Sequence, residues 1–428
     1  MEMEKFDVTI KPATLFGEVL VPPSKSISHR AIICASLASG NSMVDNVAIS
    51  DDIQATIEAM RALGATFEIV SDNEQHMNLL ISNEKASLLA SESLQTGPIK
   101  IECNESGSTA RFIIPLFHLV DGEVTFTGKG RLSQRPFTPY YEIFDKQGIN
   151  YVAEHGGLPL TVKGRLSPSR YEIVGNVSSQ FISGLMFVLP FLEGNSEIAV
   201  TTPLESKDYI DLTVDCLKAF GVEIIKKDAR NYIIKGRQKY SSTNYTVEGD
   251  FSQGAFWLVA KSLGQKIEIS GLENNSKQAD RVILSIIEQF ERSEPQNREI
   301  DVSQCPDLVP IVSVLGALTP GTTYIINGAR VRLKESDRLK AMATELRKIG
   351  ADIEETSDGL IIQGKSSLRG GVLSSWNDHR IAMALAIASL FCEQDVTIEN
   401  AQVVNKSYPT FWAVFSKLGG QLDVKYHG

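Results

Sequence analysis

The residues of this chain that could do chemistry are mostly cationic and stand where helices should begin. Around 21–31, Pro22 and Pro23 cannot continue a strand ladder, Ser24 is a good N-cap, and the apolar residues Ile27, Ala31, Ile32, Cys34 and Leu37 follow at once. A helix is therefore expected to start near Lys25. Lys25, Ser26 and Arg30 sit in its first turns, with Ser26 and Arg30 one turn apart, beside unpaired backbone N–H groups and the positive end of the dipole. Such a place suits an anion; the alternative is a capping serine and two solvated cations. Basic residues recur in Gly107-Ser108-Thr109-Ala110-Arg111, Arg131-Leu132-Ser133-Gln134-Arg135, Lys334-Glu335-Ser336-Asp337-Arg338, Asn377-Asp378-His379-Arg380 and Asn405-Lys406-Ser407. A cation at a helix start opposes the dipole, and a phosphate or carboxylate bound between them removes the conflict. Recurrence at corresponding places favours anion binding over scattered surface charge.

Two carboxylates stand out among these cations. Asp307 opens an otherwise apolar helix (Leu308, Val309, Ile311, Val312, Val314, Leu315), as an N-cap or as a functional group, and Glu335 lies between Lys334 and Arg338, as an ion-pair partner or as a functional group. Ser178, Ser179, Gln180 and Ser206 collect at the same level, as caps or as ligands. His29 and His379 each adjoin an arginine, but no His/Cys/Asp set has metal-ligand spacing. Neither a Walker lysine loop nor G-x-G-x-x-G is present. The expectation is no metal and no cofactor.

Composition bounds the partners. With 43% apolar and 22% charged residues the chain is a folded soluble protein, and its net charge of −10 argues against a general binder of nucleic acid or acidic lipid. The start is acidic without an apolar core, and the longest apolar run, 381–392, is too short to span a bilayer. Five cysteines without C-x-x-C spacing suit a reducing cytosol. A cytoplasmic, unprocessed protein is expected.

The elements that must position these residues repeat. Small-residue-rich apolar helices are expected at 24–39, 108–120, 179–192, 252–263, 307–319 and 378–392, alternating with amphipathic helices at 53–63, 139–147, 209–220, 280–290, 338–349 and 409–418. All the amphipathic helices but 280–290 end next to a glycine. This predicts six units of roughly seventy residues, each strand-helix-strand-helix-strand-strand, with mixed sheets wrapped around buried helices. Six units most simply make two globes of three, and the Ser/Thr/Asn-rich patch 240–247 is the candidate boundary.

Taken together, the stretches 23–30, 107–111, 131–136 and 178–180, Ser206-Lys207 with Tyr209-Ile210-Asp211, Arg332 with 334–338, and 377–380 resemble the 3-phosphoshikimate 1-carboxyvinyltransferase (5-enolpyruvylshikimate-3-phosphate synthase) family. The resemblance runs in order from near residue 20 to beyond 406. It implies an α/β fold of two inside-out globes, each of three β-α-β-α-β-β units, one globe being 21–246 and the other 1–20 with 247–428. It also implies transfer of the enolpyruvyl group of phosphoenolpyruvate to the 5-hydroxyl of shikimate 3-phosphate by addition and elimination, in a monomer that closes on its substrates. By carry-over Asp307 is the base candidate, and Glu335 and Lys25 are the acid/base candidates. Gly107, Arg135, Gln180, Arg338, Arg380 and Lys406 would hold phosphoenolpyruvate. Ser26, Arg30, Ser178, Ser179, Gln180, Ser206, Asp307 and Lys334 would hold shikimate 3-phosphate, with Lys25 serving both.

Gly107 is the residue found in family members sensitive to glyphosate, so sensitivity is expected. Arg330 stands where many members use asparagine, and Phe112 where some have proline. Two rivals remain: a UDP-N-acetylglucosamine enolpyruvyl transferase, whose lid cysteine has no counterpart in a polar, Gly-rich loop here, and a non-catalytic anion-binding scaffold, which has no use for Asp307 and Glu335.

Overall fold

In the computed structural model, which describes residues 5–84, 98–291 and 297–427, side-chain caps start most of the helices. Ser24, Ser50, Ser106 and Ser178 accept from backbone N–H groups at the heads of α1 (Lys25–Leu37), α2 (Asp51–Ala62), α3 (Gly107–Ile113) and α5 (Ser179–Val188). α4 (Thr138–Gln147) instead ends on the left-handed Gly148, and α6 (Lys207–Ala219) follows a left-handed Ser206. Asp250 caps α7 (Phe251–Ser262), and α8 (Ile283–Phe290) and α9 (Val309–Leu318) follow 3-10 turns. Asp337 and Asp378 cap α10 (Arg338–Lys348) and α11 (His379–Ser389), and α12 (Phe411–Lys417) is the last helix. The expected helix 108–120 is α3 only to Ile113 and then a 3-10 turn, Ile114–Leu119; Pro115, which has no N–H to give, stands at the break.

Contacts divide the chain into two compact units: a medial unit, Pro23–Glu248, and a terminal unit, Met1–Pro22 with Gly249–Gly428. Each has its own apolar core. In the medial unit α1 buries every residue from Ile27 to Leu37, and in the terminal unit α9 and α11 are buried throughout. The sheets lie outside these helices with one face inward. In Ile99–Glu102, for instance, Ile99 and Ile101 are buried while Lys100 and Glu102 are exposed.

Sheet order repeats. Ile99–Glu102 pairs in parallel with Glu123–Thr127, which pairs antiparallel with Leu160–Lys163, which pairs with Asn150–Ala153. The same order joins Arg170–Ile173, Ser196–Val200, Asn231–Ile234 and Ile224–Lys226, and again Arg298–Asp301, Thr322–Ile326, Leu360–Gln363 and Asp352–Glu355. In the sheet after α11 the third place is taken by Lys5–Lys11 from the start of the chain, lying between Val396–Glu399 and Gln421–His427.

One expectation is corrected. The fourth repeat shows only two strands among the described residues, Phe16–Leu20 parallel to Lys266–Ser270, with seven residues between α8 and the next described strand at Arg298. In the candidate boundary 240–247, Tyr240–Ser241 and Tyr245–Thr246 pair in parallel with Ala38–Ala48, and the division between units falls just beyond it, after Glu248.

Close helix packing depends on Gly184 in α5. A Cβ there would overlap the Tyr140 hydroxyl, which donates to the Arg111 and Phe181 carbonyls, and the Arg111 carbonyl itself. Gly184→Ala is expected to destabilise the protein by about 2–3 kcal/mol, an overpacking cost; a thermal unfolding midpoint equal to that of the unaltered chain would contradict this.

Candidate functional site

In the terminal unit one arginine gathers three carboxylates. Arg338, the first residue of α10 and 1% exposed, donates through Nη1 to Asp307 Oδ1 at 2.7 Å, through Nη2 to Glu335 Oε2 at 2.8 Å and through Nε to Asp378 Oδ2 at 2.8 Å. Arg380 Nη2 meets Asp307 Oδ2 at 3.1 Å, and Lys334 Nζ lies 3.5 Å from Asp307 Oδ1. Lys406 is also buried and donates to the Asn377 carbonyl at 3.0 Å. Among the described residues Arg338, Arg380, Lys334 and Lys406 thus gather beside Asp307, Glu335 and Asp378, a concentration of fixed cations of the kind that binds anions.

Asp307 sits in the turn Pro306–Leu308 and makes no side-chain cap bond, so its carboxylate serves the cations and not the helix. Burial pushes its pKa up, but Arg380, Lys334 and Arg338 outweigh that and hold it well below the usual carboxylate value. Burial likewise raises Asp378, and chiefly Arg338 brings it below its usual value. Burial lowers Lys334, with Asp307 and Glu335 opposing. Glu335 makes the ion pair to Arg338 expected as its plainer role.

In the medial unit a second set forms around the N-terminus of α3. A Cβ on Gly107 would lie 2.9 Å from Arg135 Nη1 and 3.2 Å from Arg111 Nη1, so both guanidinium groups close on this backbone. Arg111 Nη1 donates to Gln180 Oε1 at 2.7 Å, Gln180 Nε2 donates to Ser108 Oγ at 2.7 Å, and Ser178 caps α5 at Gln180 N. Ser179 is buried in the first turn of α5. At the head of α1, beside Ser26, Lys25 Nζ pairs with Asp52 Oδ2 at 2.7 Å, both side chains largely buried.

Arg30 is buried, as Arg338 is. It donates to Ser26 O, Thr213 Oγ1 and Tyr209 O and stacks on Phe112, tying α1 to α6, and burial lowers its pKa to about 10, so it stays charged. Ser206 is buried in a left-handed conformation (φ 52°), a costly one for serine, at the entry to α6. His29 bonds Thr56 and is neutral, because burial drives its pKa well down; it is a core residue. Arg332 is held by Asp337, Glu355 and backbone carbonyls, and Arg330 donates to Ser303 O.

Sequence reasoning did not single out Asp378, Asp52 or Arg111 as site residues. Asp378 and Arg111 lay inside motifs already noted. Asp52 carried no signal beyond an acidic helix start.

The family description "EPSP synthase (3-phosphoshikimate 1-carboxyvinyltransferase)" matches residues 10–415. The chain belongs to the EPSP synthase family. It is 50% identical to the 3-phosphoshikimate 1-carboxyvinyltransferase of Clostridium novyi (strain NT), over 97% of this chain and 98% of that one, and 50% identical with the same coverages to that of Clostridium acetobutylicum. Its fold is similar to a solved EPSP synthase from Acinetobacter baumannii, with a TM-score of 0.80 over 98% of this chain and 100% of the other at 24% identity. The two-globe α/β expectation is thereby met by the fold of the EPSP synthase family.

The depressed carboxylates carry a stability consequence. A group whose pKa is lowered on folding stabilises the native state above its unfolded pKa, about 4 for aspartate, and that contribution fades as the pH falls through the folded value. Asp378→Asn is expected to cost about 3 kcal/mol at pH 7, since it leaves the buried Arg338 short of a counter-charge. In urea unfolding the gap between variant and parent should narrow as the pH drops below about 4; a gap independent of pH would refute this.

Proposed function

We propose that the chain transfers the enolpyruvyl group of phosphoenolpyruvate to the 5-hydroxyl of shikimate 3-phosphate and releases inorganic phosphate. Family membership and the names of its relatives support the reaction. The observation that carries the residue assignments is Asp307, a carboxylate held by Arg338, Arg380 and Lys334. Both substrates are multiply anionic, so fixed cations are a condition of bringing them together.

On this reading Arg338, Arg380, Lys406, Arg135, Gln180 and the backbone at Gly107 hold phosphoenolpyruvate. Ser26, Arg30, Ser178, Ser179, Gln180, Ser206, Asp307 and Lys334 hold shikimate 3-phosphate, and Lys25 serves both. In the addition step the 5-hydroxyl oxygen bonds to C2 of phosphoenolpyruvate as its proton passes to a base, and C3 accepts a proton. In the elimination step C3 gives up a proton and the C2–O bond to phosphate breaks. Asp307 is the base for the hydroxyl; Lys25 and Glu335 exchange the proton at C3. With three cations on it, Asp307 is a weak base in the free protein. Phosphoenolpyruvate shares Arg338 and Arg380, relieves that hold and raises the basicity of Asp307 when there is a proton to take.

All five cysteines are free and buried, which speaks against a reactive lid thiol and suits a reducing, cytoplasmic setting. No helix of the described residues is long and apolar enough to cross a membrane. One chain supplies every residue named, so a monomer suffices.

Purified protein with phosphoenolpyruvate and EDTA is expected to release phosphate when shikimate 3-phosphate is added and not when UDP-N-acetylglucosamine is. Release with the sugar nucleotide alone would move the acceptor; silence with both would leave an anion-binding protein. Asp307→Ala should lower kcat by about 100-fold or more, and an unchanged kcat would remove Asp307 as the base. Gly107→Ala presses on two guanidinium tips and not on backbone. It should therefore leave the unfolding midpoint near that of the parent and raise KM for phosphoenolpyruvate. Glyphosate should inhibit the parent and do so less well in this variant; equal inhibition of the two would count against the crowding.

A further inference from the structure

α10 carries a second buried charge two turns beyond Arg338 and on the same face. Glu345 is 1% exposed, yet its carboxylate is fully engaged: Oε1 accepts from the Trp376 indole Nε1 at 2.7 Å, and Oε2 accepts from the Ser374 backbone N–H at 3.0 Å and from Lys348 Nζ at 2.7 Å. Arg338 holds Asp378 from the same helix. α10 thus grips the segment 374–378 at both ends.

Between those grips the chain makes a costly bend. Trp376 and Asn377 both adopt left-handed backbone conformations (φ 53° each); asparagine tolerates this region, but for the bulky Trp376 it costs roughly 1–2 kcal/mol. Such a bend persists only where its surroundings over-determine it. Ser375 N bonds Glu399 O, Ser375 Oγ bonds Asn400 O and Asp378 N bonds Ser375 O, but the side chain at the apex, Trp376, is anchored through its indole by Glu345. The bend points the Asn377 carbonyl at Lys406 Nζ and starts α11 so that Arg380 meets Asp307.

We propose that Glu345 is a positioning residue for phosphoenolpyruvate binding: by fixing the Trp376–Asn377 bend it sets Lys406 and Arg380. The proposal rests on the activity assigned above. A bond to the half-exposed Lys348 alone does not account for burying a carboxylate, since such a pair contributes little and burial is costly. The indole and backbone bonds do account for it, because they reach a strained segment that adjoins two site cations.

The test is steady-state kinetics of Glu345→Ala, Glu345→Gln and Trp376→Phe, varying each substrate at saturation of the other, with unfolding midpoints and wild-type turnover measured alongside. Glu345→Ala and Trp376→Phe should raise KM for phosphoenolpyruvate roughly tenfold and leave KM for shikimate 3-phosphate within about twofold. Glu345→Gln keeps an acceptor for the indole and should recover part of the loss. If Glu345→Ala does not fold, the other two variants decide. Folded variants with lowered midpoints but unchanged KM for phosphoenolpyruvate would reduce Glu345 to a structural role and overturn the proposal. A wild type that turns over phosphoenolpyruvate keeps the two questions apart; one that does not would overturn the assigned activity and this proposal with it.

Discussion

A single buried guanidinium organises the terminal unit. Burying Arg338 costs several kcal/mol unless its donors are met, and Asp307, Glu335 and Asp378 meet them from three separate stretches of chain. Asp378 is also the N-cap of α11, and Asp307 is the neighbour of Arg380 and Lys334. Satisfying one arginine therefore fixes where two helices begin and where the remaining cations stand.

The same constraint explains how chemistry survives inside such a charge cluster. Carboxylates that pair with these cations are held in the charged form, at a cost to their own basicity. The medial set works differently: around Gly107 the absence of a side chain, and not a carboxylate, makes room between Arg111 and Arg135.

Burying the apolar helices and placing the sheets outside them follows from composition. α9 and α11 have no polar face, so neither can lie on a surface, whereas the alternating strands have one apolar face each and can cover them. The helix starts, with their unpaired N–H groups and polar caps, are then the natural place for function, and the repeats multiply it.

Much of this was legible in the sequence because it is local. Helix positions, caps and the alternation of two helix types follow from residue spacing. The motifs at 23–30, 107–111, 334–338 and 377–380 point to anion chemistry and to a family. What the sequence did not disclose is long-range or depends on length. The start of the chain fills a sheet beside Val396–Glu399, the fourth repeat is shortened, and the patch 240–247 forms edge strands. Which arginines are committed was equally hidden. Arg30, Arg332 and Arg338 are alike as residues, but Arg30 and Arg332 are held by backbone carbonyls and neighbouring side chains, while Arg338 is shared by three carboxylates. Local spacing determines where a helix starts and what charge it carries; the partners of that charge come from residues tens of positions away, and only the folded chain brings them within hydrogen-bond reach.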